Sequence, residues 1–90
     1  MWRVEYTKRF LKELSELPKE IRAKAEDIVF KELLATAPFS LGYVERMKGY
    51  PNKDKMRIGD YRIGIPIDKE NNLIICQRVA HRKEIYRVFP

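Results

Sequence analysis

The chain has 90 residues, 44% of them hydrophobic and 36% charged, and its 19 basic and 13 acidic side chains give a net charge of +6. This length suits one domain with a modest core and is too short for two, so we expect residues 1–90 to form a single domain. No apolar run approaches the roughly 20 residues of a transmembrane helix. Met1 is followed at once by Trp2 and Arg3, which leaves no space for a signal peptide. We therefore expect a cytoplasmic protein with no membrane partner.

The first third of the sequence predicts a strand followed by two helices. Apolar residues alternate with charged ones from Trp2 to Tyr6, as in a half-buried strand. Thr7 can cap a first helix that Pro18 ends, and a second helix is predicted from about Lys19 to Thr36. The apolar positions of the first helix are Phe10, Leu11, Leu14 and Leu17. A tight turn between the helices predicts an antiparallel helical hairpin.

The remaining residues predict strands. A short strand is expected between Tyr43 and Tyr50, a hairpin from Lys53 to Asp68, and a final strand from Leu73 to Ala80 after a polar turn. The predicted fold is therefore α+β: an N-terminal strand, a two-helix antiparallel hairpin, then a three-stranded antiparallel meander. These strands form one sheet that the helices cover on one face.

The hairpin is the most informative stretch. Gly59-Asp60 suits a type II′ turn, which pairs Ile58 with Tyr61 and so sets the register of the whole hairpin. One face then carries only uncharged, mostly apolar side chains, namely Met56, Ile58, Tyr61, Ile63, Ile65 and Ile67. The opposite face, called the cationic face below, carries Lys53, Lys55, Arg57 and Arg62 beside Gly64 and Pro66.

The cationic face has two interpretations. It is either a solvated sheet surface or a site for a polyanion, with the small residues Gly64 and Pro66 leaving room for a ligand. Residues 43–90 hold eleven basic and six acidic side chains against eight and seven in residues 1–42, so the positive field lies with the sheet. Nucleic acid or an acidic protein is the partner such a field predicts. Simple alternation along the last strand places Arg78 and Arg82 on one face with Ile74 and Cys76.

Several chemistries can be set aside. The single His81 and single Cys76 have no partners at metal-ligand spacing, and no Gly-rich phosphate loop is present. A set of Lys, Arg and Tyr can still cleave RNA, because the ribose 2′-hydroxyl is an internal nucleophile. The protein then needs to remove its proton, stabilise the phosphorane charge and protonate the leaving oxygen. His81 and Tyr61 are more simply interpreted as structural, and Glu84 is a candidate ion-pair partner for Arg82.

The segments YVERMKGYPNKDKMRIGDYRIGIPID and VAHRKEIY resemble the RelE/ParE superfamily of toxin–antitoxin toxins, more closely the RelE-type members. The resemblance covers nearly the whole chain and implies a RelE-like fold. It also implies a ribosome-dependent endoribonuclease that cuts mRNA without a metal cofactor. The implied partners are the ribosome, mRNA and a RelB-like antitoxin that forms a hetero-oligomer with the toxin.

Carried over position by position, the resemblance implies catalytic roles for Lys55, Arg62, Arg82 and Tyr86. Cations near them are expected to contact RNA, and these are Lys53, Arg57, Arg78 and Lys83. The tyrosine lies closer to the basic motif than in some relatives, and the sequence ends without the longer C-terminal helix that some of them have. Two alternatives stay open: a ParE-like toxin that inhibits DNA gyrase without chemistry of its own, and an inactive RNA-binding relative. The complete Lys/Arg/Tyr set favours the nuclease.

Overall fold

A computed structural model describes residues 2–32, 44–49 and 53–89. Two helices lie on one face of a mixed sheet, and a short C-terminal helix lies on the other. The elements in chain order are β1 (Arg3–Tyr6), α1 (Lys8–Ser15), α2 (Lys19–Asp27), a π-helical segment (Ile28–Glu32), β2 (Val44–Arg46), β3 (Lys53–Ile58), β4 (Tyr61–Asp68), β5 (Leu73–Cys76), β6 (Arg78–His81) and α3 (Ile85–Val88).

The sheet order is β1-β5-β4-β3-β2, with β6 also paired to β4. The predicted meander is present as β3, β4 and the β5–β6 segment, all antiparallel neighbours. β1 adds to one edge in parallel with β5, and β2 adds to the other edge beside β3. The α+β architecture predicted from the sequence is confirmed, and β1 and β2 widen the sheet beyond the meander.

The two N-terminal helices follow their sequence signals closely. The Thr7 hydroxyl accepts a 3.0 Å hydrogen bond from the backbone N–H of Phe10, which is the predicted N-cap of α1. The π-helical segment continues α2 to Glu32, and the predicted end at Thr36 lies outside the described residues. Leu11, an apolar position of the predicted helix, is exposed, because the buried positions of α1, Phe10 and Leu14, are four residues apart and point away from it.

The predicted hairpin register is confirmed. Ile58 is paired with Tyr61, and Met56 with Ile63. Gly59 has a φ of +57° whereas Asp60 is not among the residues with positive φ, which is the pattern of a type II′ turn. The helices bury the apolar face of this hairpin, and the fully buried members of the resulting core include Phe10, Val29, Met56, Ile63, Ile65 and Ile74.

One charged residue lies on the apolar face of the hairpin, which the sequence predicts to be free of charge. Asp54 is only 2% exposed and is the cross-strand partner of Arg46 on β2. Its Oδ1 lies 3.4 Å from the Nε of Arg46, a partly exposed side chain. The carboxylate therefore has a cationic partner where the short β2 joins the sheet, and the arginine reaches solvent while the aspartate stays dry.

The last strand is interrupted by a β-bulge at Gln77, and this corrects the predicted face assignment. Ile67 pairs with Ile74 on one side of Gln77 and Ile63 with Val79 on the other, so the second pairing is displaced by one residue. The core face consequently carries Ile74, Cys76 and Val79. Simple alternation predicts Arg78 in the place that Val79 occupies. The prediction is wrong because a bulge is a long-range pairing feature that leaves the local pattern of residue types unchanged.

The cationic face is partly covered, which corrects a second expectation. The residues after β6 turn back over it, and Ile85 and Phe89 form a second buried cluster with Met47. The Phe89 ring occupies the space above Gly64, where an added Cβ would lie 2.4 Å from its Cδ1. The small residue that was expected to leave room for a ligand instead accommodates the chain's own C-terminal segment.

Candidate active site

Lys55 and Tyr86 form a direct contact on the cationic face. The Nζ of Lys55, on β3, donates a 2.8 Å hydrogen bond to the hydroxyl of Tyr86, on α3. The same nitrogen lies 4.5 Å from the centre of the Tyr86 ring, within the range of a cation–π contact. Tyr86 is exposed, so its ring and hydroxyl are accessible from solvent. The fold thus joins two predicted catalytic residues that are 31 positions apart in the chain.

Arg62 and Arg82 both contact the β3–β4 turn. The Nη1 of Arg62 donates to the carbonyls of Gly59, at 2.8 Å, and Tyr61, at 2.9 Å. The Nε of Arg82 lies 3.7 Å from the Oδ1 of Asp60. The ion-pair partner considered from sequence for Arg82 was Glu84, and the structure corrects this because Glu84 is paired with Arg87. Both arginines thus contact the same turn. Nε and Nη2 of Arg62, and Nη1 and Nη2 of Arg82, take no part in these contacts.

The predicted RNA-contacting cations fall into different surroundings. Lys53 lies with its Nζ 5.2 Å from the centre of the Phe89 ring, and Lys83 is exposed beyond the end of β6. Arg57 is exposed and opposite Arg62, and it borders a cavity of about 380 Å³ between β3 and α2. Lys53 and Arg57 lie on the same strand as Lys55, two residues to either side of it, and Lys83 follows Arg82 in the chain.

Arg78 is engaged elsewhere. Its guanidinium makes a bidentate ion pair with Glu13 of α1, with Nε 3.1 Å from Oε1 and Nη2 2.8 Å from Oε2. Its Nη1 donates to the carbonyl of Val88 at 3.2 Å, and Glu13 also accepts the backbone N–H of Val79 at 3.1 Å. The two side chains are only 17% and 21% exposed. Arg78 therefore ties α1 to α3 across the edge of the sheet.

The single His and single Cys have structural surroundings. His81 is paired with Tyr61 across the strands, and the two rings meet edge to face with centres 5.5 Å apart. Its Nδ1 accepts the backbone N–H of Lys83, which defines the tautomer with the proton on Nε2. Burial raises the pKa of the Cys76 thiol to about 12, so this sulfur stays protonated at neutral pH.

Two carboxylates at the site were missed from the sequence. Asp60 follows the turn glycine and faces Arg82, while Glu45 on β2 is the cross-strand partner of Lys55. Pairing β2 with β3 in sequence would have placed Glu45 opposite Lys55, but this requires knowing where β2 lies. Nothing local could have suggested Asp60, since aspartate is a common residue in turns.

The chain is similar to known proteins over nearly its full length. The family model described as the ParE toxin of the type II toxin–antitoxin system parDE matches residues 4–86. Toxin RelE3 of Methanocaldococcus jannaschii is 36% identical over 89 residues, which cover 98% of this chain and 99% of that protein. The chain belongs to the RelE/ParE superfamily of toxins. The resemblance that the KGY, GDYR and HRK segments indicated is thereby confirmed.

Solved structures of RelE/ParE toxins have the same fold as this toxin. The RelB–RelE antitoxin–toxin complex from Methanococcus jannaschii matches with a TM-score of 0.75 and 33% identity, covering 96% of this chain and 99% of that one. The archaeal RelE–RelB complex from Pyrococcus horikoshii matches with a TM-score of 0.70 and 25% identity, over 90% and 94% of the two chains. The toxin shares with them a layer of helices on a multi-stranded sheet.

The described part of the toxin has neither a metal-binding cluster nor a membrane-spanning helix. No three His, Cys, Asp or Glu side chains within residues 2–32, 44–49 and 53–89 are grouped so that they could hold a metal ion. In the same ranges, none of the helices has the length and apolar content needed to cross a membrane.

Proposed function

We propose that this toxin cleaves messenger RNA on the ribosome by attack of a ribose 2′-hydroxyl on the adjacent phosphorus, without a metal. The observation that carries the proposal is the Lys55–Tyr86 hydrogen bond on the same surface as Arg62 and Arg82. Proton transfer and charge stabilisation are the two needs of this reaction, and these four side chains can supply both. The RelE names of the similar proteins support the same activity.

In the proposed mechanism Lys55 handles the proton. As general base, its Nζ takes the proton of the 2′-hydroxyl as the 2′-oxygen bonds to phosphorus, and the bond from phosphorus to the 5′-oxygen then breaks. The leaving 5′-oxygen takes a proton from water and Lys55 returns its proton to solvent, so that the products are a 2′,3′-cyclic phosphate and a 5′-hydroxyl end. Tyr86 holds the Lys55 nitrogen by its hydroxyl, and its exposed ring is a surface on which a base can stack.

The two arginines stabilise the charge that develops on the phosphorane. Arg62 contacts the turn carbonyls through Nη1, which leaves the edge formed by Nε and Nη2 for phosphate oxygens. Arg82 contacts Asp60 through Nε, so the Nη1 and Nη2 edge of Arg82 is available to phosphate oxygens. Lys53, Arg57 and Lys83 contribute attraction for the RNA backbone. We remove Arg78 from the predicted RNA-contacting set, because its guanidinium already bonds Glu13 and the Val88 carbonyl.

We further propose that a RelB-like antitoxin binds this toxin in a hetero-oligomer, because the similar solved toxins from two archaea are held in RelB–RelE complexes. The cationic face and its C-terminal cover are the surface we expect the antitoxin to occupy, since the excess of basic over acidic side chains lies in residues 43–90. Because its targets would be ribosomes and messages, we place the toxin in the cytoplasm.

The test is single-turnover cleavage of message on programmed ribosomes with Arg62→Ala. Loss of one donor that stabilises developing charge typically lowers the rate by about 10²–10³, and we expect a loss of that size. Arg57→Ala is the matched control, since Arg57 is the directly opposed arginine and is assigned only to RNA attraction. Ribosome binding and thermal melting are measured beside the rate, so that a folding defect is recognised.

Each outcome separates the proposal from its alternatives. Arg62→Ala that melts and binds ribosomes like the wild type but cuts at the wild-type rate would remove Arg62 from the mechanism. A wild-type toxin that leaves messages intact and instead blocks supercoiling by purified gyrase would establish the ParE-like alternative. A wild-type toxin that binds ribosomes without either effect would correspond to the inactive RNA-binding relative.

A further inference from the structure

The β3–β4 turn continues the ladder between β4 and β6 by one more pair of residues. Tyr61 is paired with His81, and the backbone N–H of Arg82 donates a 2.8 Å hydrogen bond to the carbonyl of Asp60. Directly opposed residues direct their side chains to the same face. Asp60 immediately precedes β4 and Arg62 is its second residue, so alternation places Asp60 and Arg82 on the same face as Arg62.

This register places a carboxylate within a group of cations. The Oδ1 of Asp60 lies 3.7 Å from the Nε of Arg82, and both side chains are largely exposed, at 71% and 56%. An ion pair this exposed contributes little to stability. Folding stability therefore gives little reason for a negative charge here, and that charge repels an approaching polyanion. Its position beside one edge of the Arg82 guanidinium is the remaining feature to explain.

We propose that Asp60 is a positioning residue for Arg82, an inference that rests on the proposed function. By pairing with the guanidinium on its Nε side, the carboxylate favours an orientation in which the Nη1 and Nη2 edge of Arg82 faces the phosphate, and that edge can make two parallel hydrogen bonds to phosphate oxygens. The same turn contacts Arg62 differently. The turn carbonyls accept hydrogen bonds from Nη1 of Arg62, so its Nε and Nη2 edge is available to phosphate oxygens. The turn thus sets the orientation of both arginines before the substrate binds.

A carboxylate that orients Arg82 and a carboxylate that only repels the substrate predict different effects of Asp60→Asn. If the carboxylate orients Arg82, the saturating rate of cleavage falls while the concentration at half-saturation stays the same or decreases, because a repulsive charge has been removed. If the carboxylate acts only by repelling the substrate, its removal raises the rate at low concentration and leaves the saturating rate unchanged. A purely structural role lowers the melting temperature, and exposure of both groups argues against that.

The experiment is a double-mutant cycle of Asp60→Asn and Arg82→Ala, followed by single-turnover cleavage on programmed ribosomes and by thermal melting. We expect Asp60→Asn to lower the saturating rate by about tenfold in the wild-type background and by less than about twofold beside Arg82→Ala, since coupled neighbours lose their interaction together. Glu70→Gln is the control, because it removes one acidic charge from the β4–β5 turn at the far end of β4.

The cycle distinguishes failure of this inference from failure of the proposed function. An equal tenfold loss from Asp60→Asn in both backgrounds, or a wild-type saturating rate for Asp60→Asn, overturns the positioning role while cleavage and Arg82 stand. A wild-type rate for Arg82→Ala overturns the role of Arg82 and the positioning role with it. Absence of cleavage by the wild type overturns the proposed function, and with it both roles.

Discussion

The ion pair between Arg78 and Glu13 offers a sharp test of how this fold is held together. The sequence predicts that Arg78 contacts RNA, whereas its guanidinium joins α1 to α3 through Glu13 and the Val88 carbonyl. Arg78→Ala should therefore reduce stability much more than it reduces the affinity for RNA. Arg82→Ala, four residues away and in an exposed ion pair, should instead lower the cleavage rate with little change in stability.

The magnitude follows from the contacts that are lost. Arg78→Ala removes a bidentate, charge-assisted contact and leaves the Glu13 carboxylate about one-fifth exposed with the Val79 N–H as its remaining partner. Breaking a fully buried pair costs about 3–5 kcal/mol, and discounting for this exposure gives about 2–3 kcal/mol. For a domain of this size such a loss lowers the melting temperature by roughly 10–20 °C. Arg82→Ala should change stability by no more than about 1 kcal/mol.

The assay is thermal and denaturant unfolding of the wild type, Arg78→Ala, Glu13→Gln and the double variant. Glu13→Gln keeps an oxygen to accept the Val79 N–H and removes only the charge. We expect the two single changes to be coupled by at least about 1 kcal/mol, because each one removes the same interaction. The interpretation would be refuted if Arg78→Ala melted within about 2 °C of the wild type, or if the two changes were additive.

Further predictions concern Gly64, the buried Cys76 thiol and the surface expected to bind the antitoxin. Gly64→Ala should destabilise the protein by about 1–3 kcal/mol and lower cleavage, because a Cβ 2.4 Å from Phe89 must displace the segment that carries Tyr86; wild-type melting and cleavage would contradict this. Cys76 should resist alkylation at pH 8 until the chain unfolds, and rapid native labelling would count against its burial. Because folding raises its pKa from 9.0 to about 12, the free energy of unfolding should fall as pH rises through that interval. Antitoxin affinity should weaken as salt rises, since exposed charges are screened over about 8 Å at physiological ionic strength, and a salt-insensitive complex would point instead to the grooves around the helices.

The local features of this protein were predictable because short-range rules govern them. Thr7 caps α1 through its own hydroxyl, and Gly59 supplies the positive φ that a type II′ turn requires. Once that turn is set, alternation along two strands determines which hairpin side chains are buried, since a slip of one residue would place the arginines in the core. The cationic face and its membership were therefore predictable from the amino-acid sequence.

Tertiary contacts were needed to distinguish site residues from structural ones. A bulge at Gln77 shifts the pairing by one residue, so Val79 lies in the core. Arg78 then forms an ion pair with Glu13, 65 positions earlier in the chain. The Phe89 ring fills the space above Gly64, and α3 brings Tyr86 to Lys55. Sequence alone determined the two N-terminal helices, the hairpin and the sign of its exposed face, because each depends on neighbours along the chain. The tertiary structure decided which cations remain available to a substrate, because that depends on partners that only folding brings within reach.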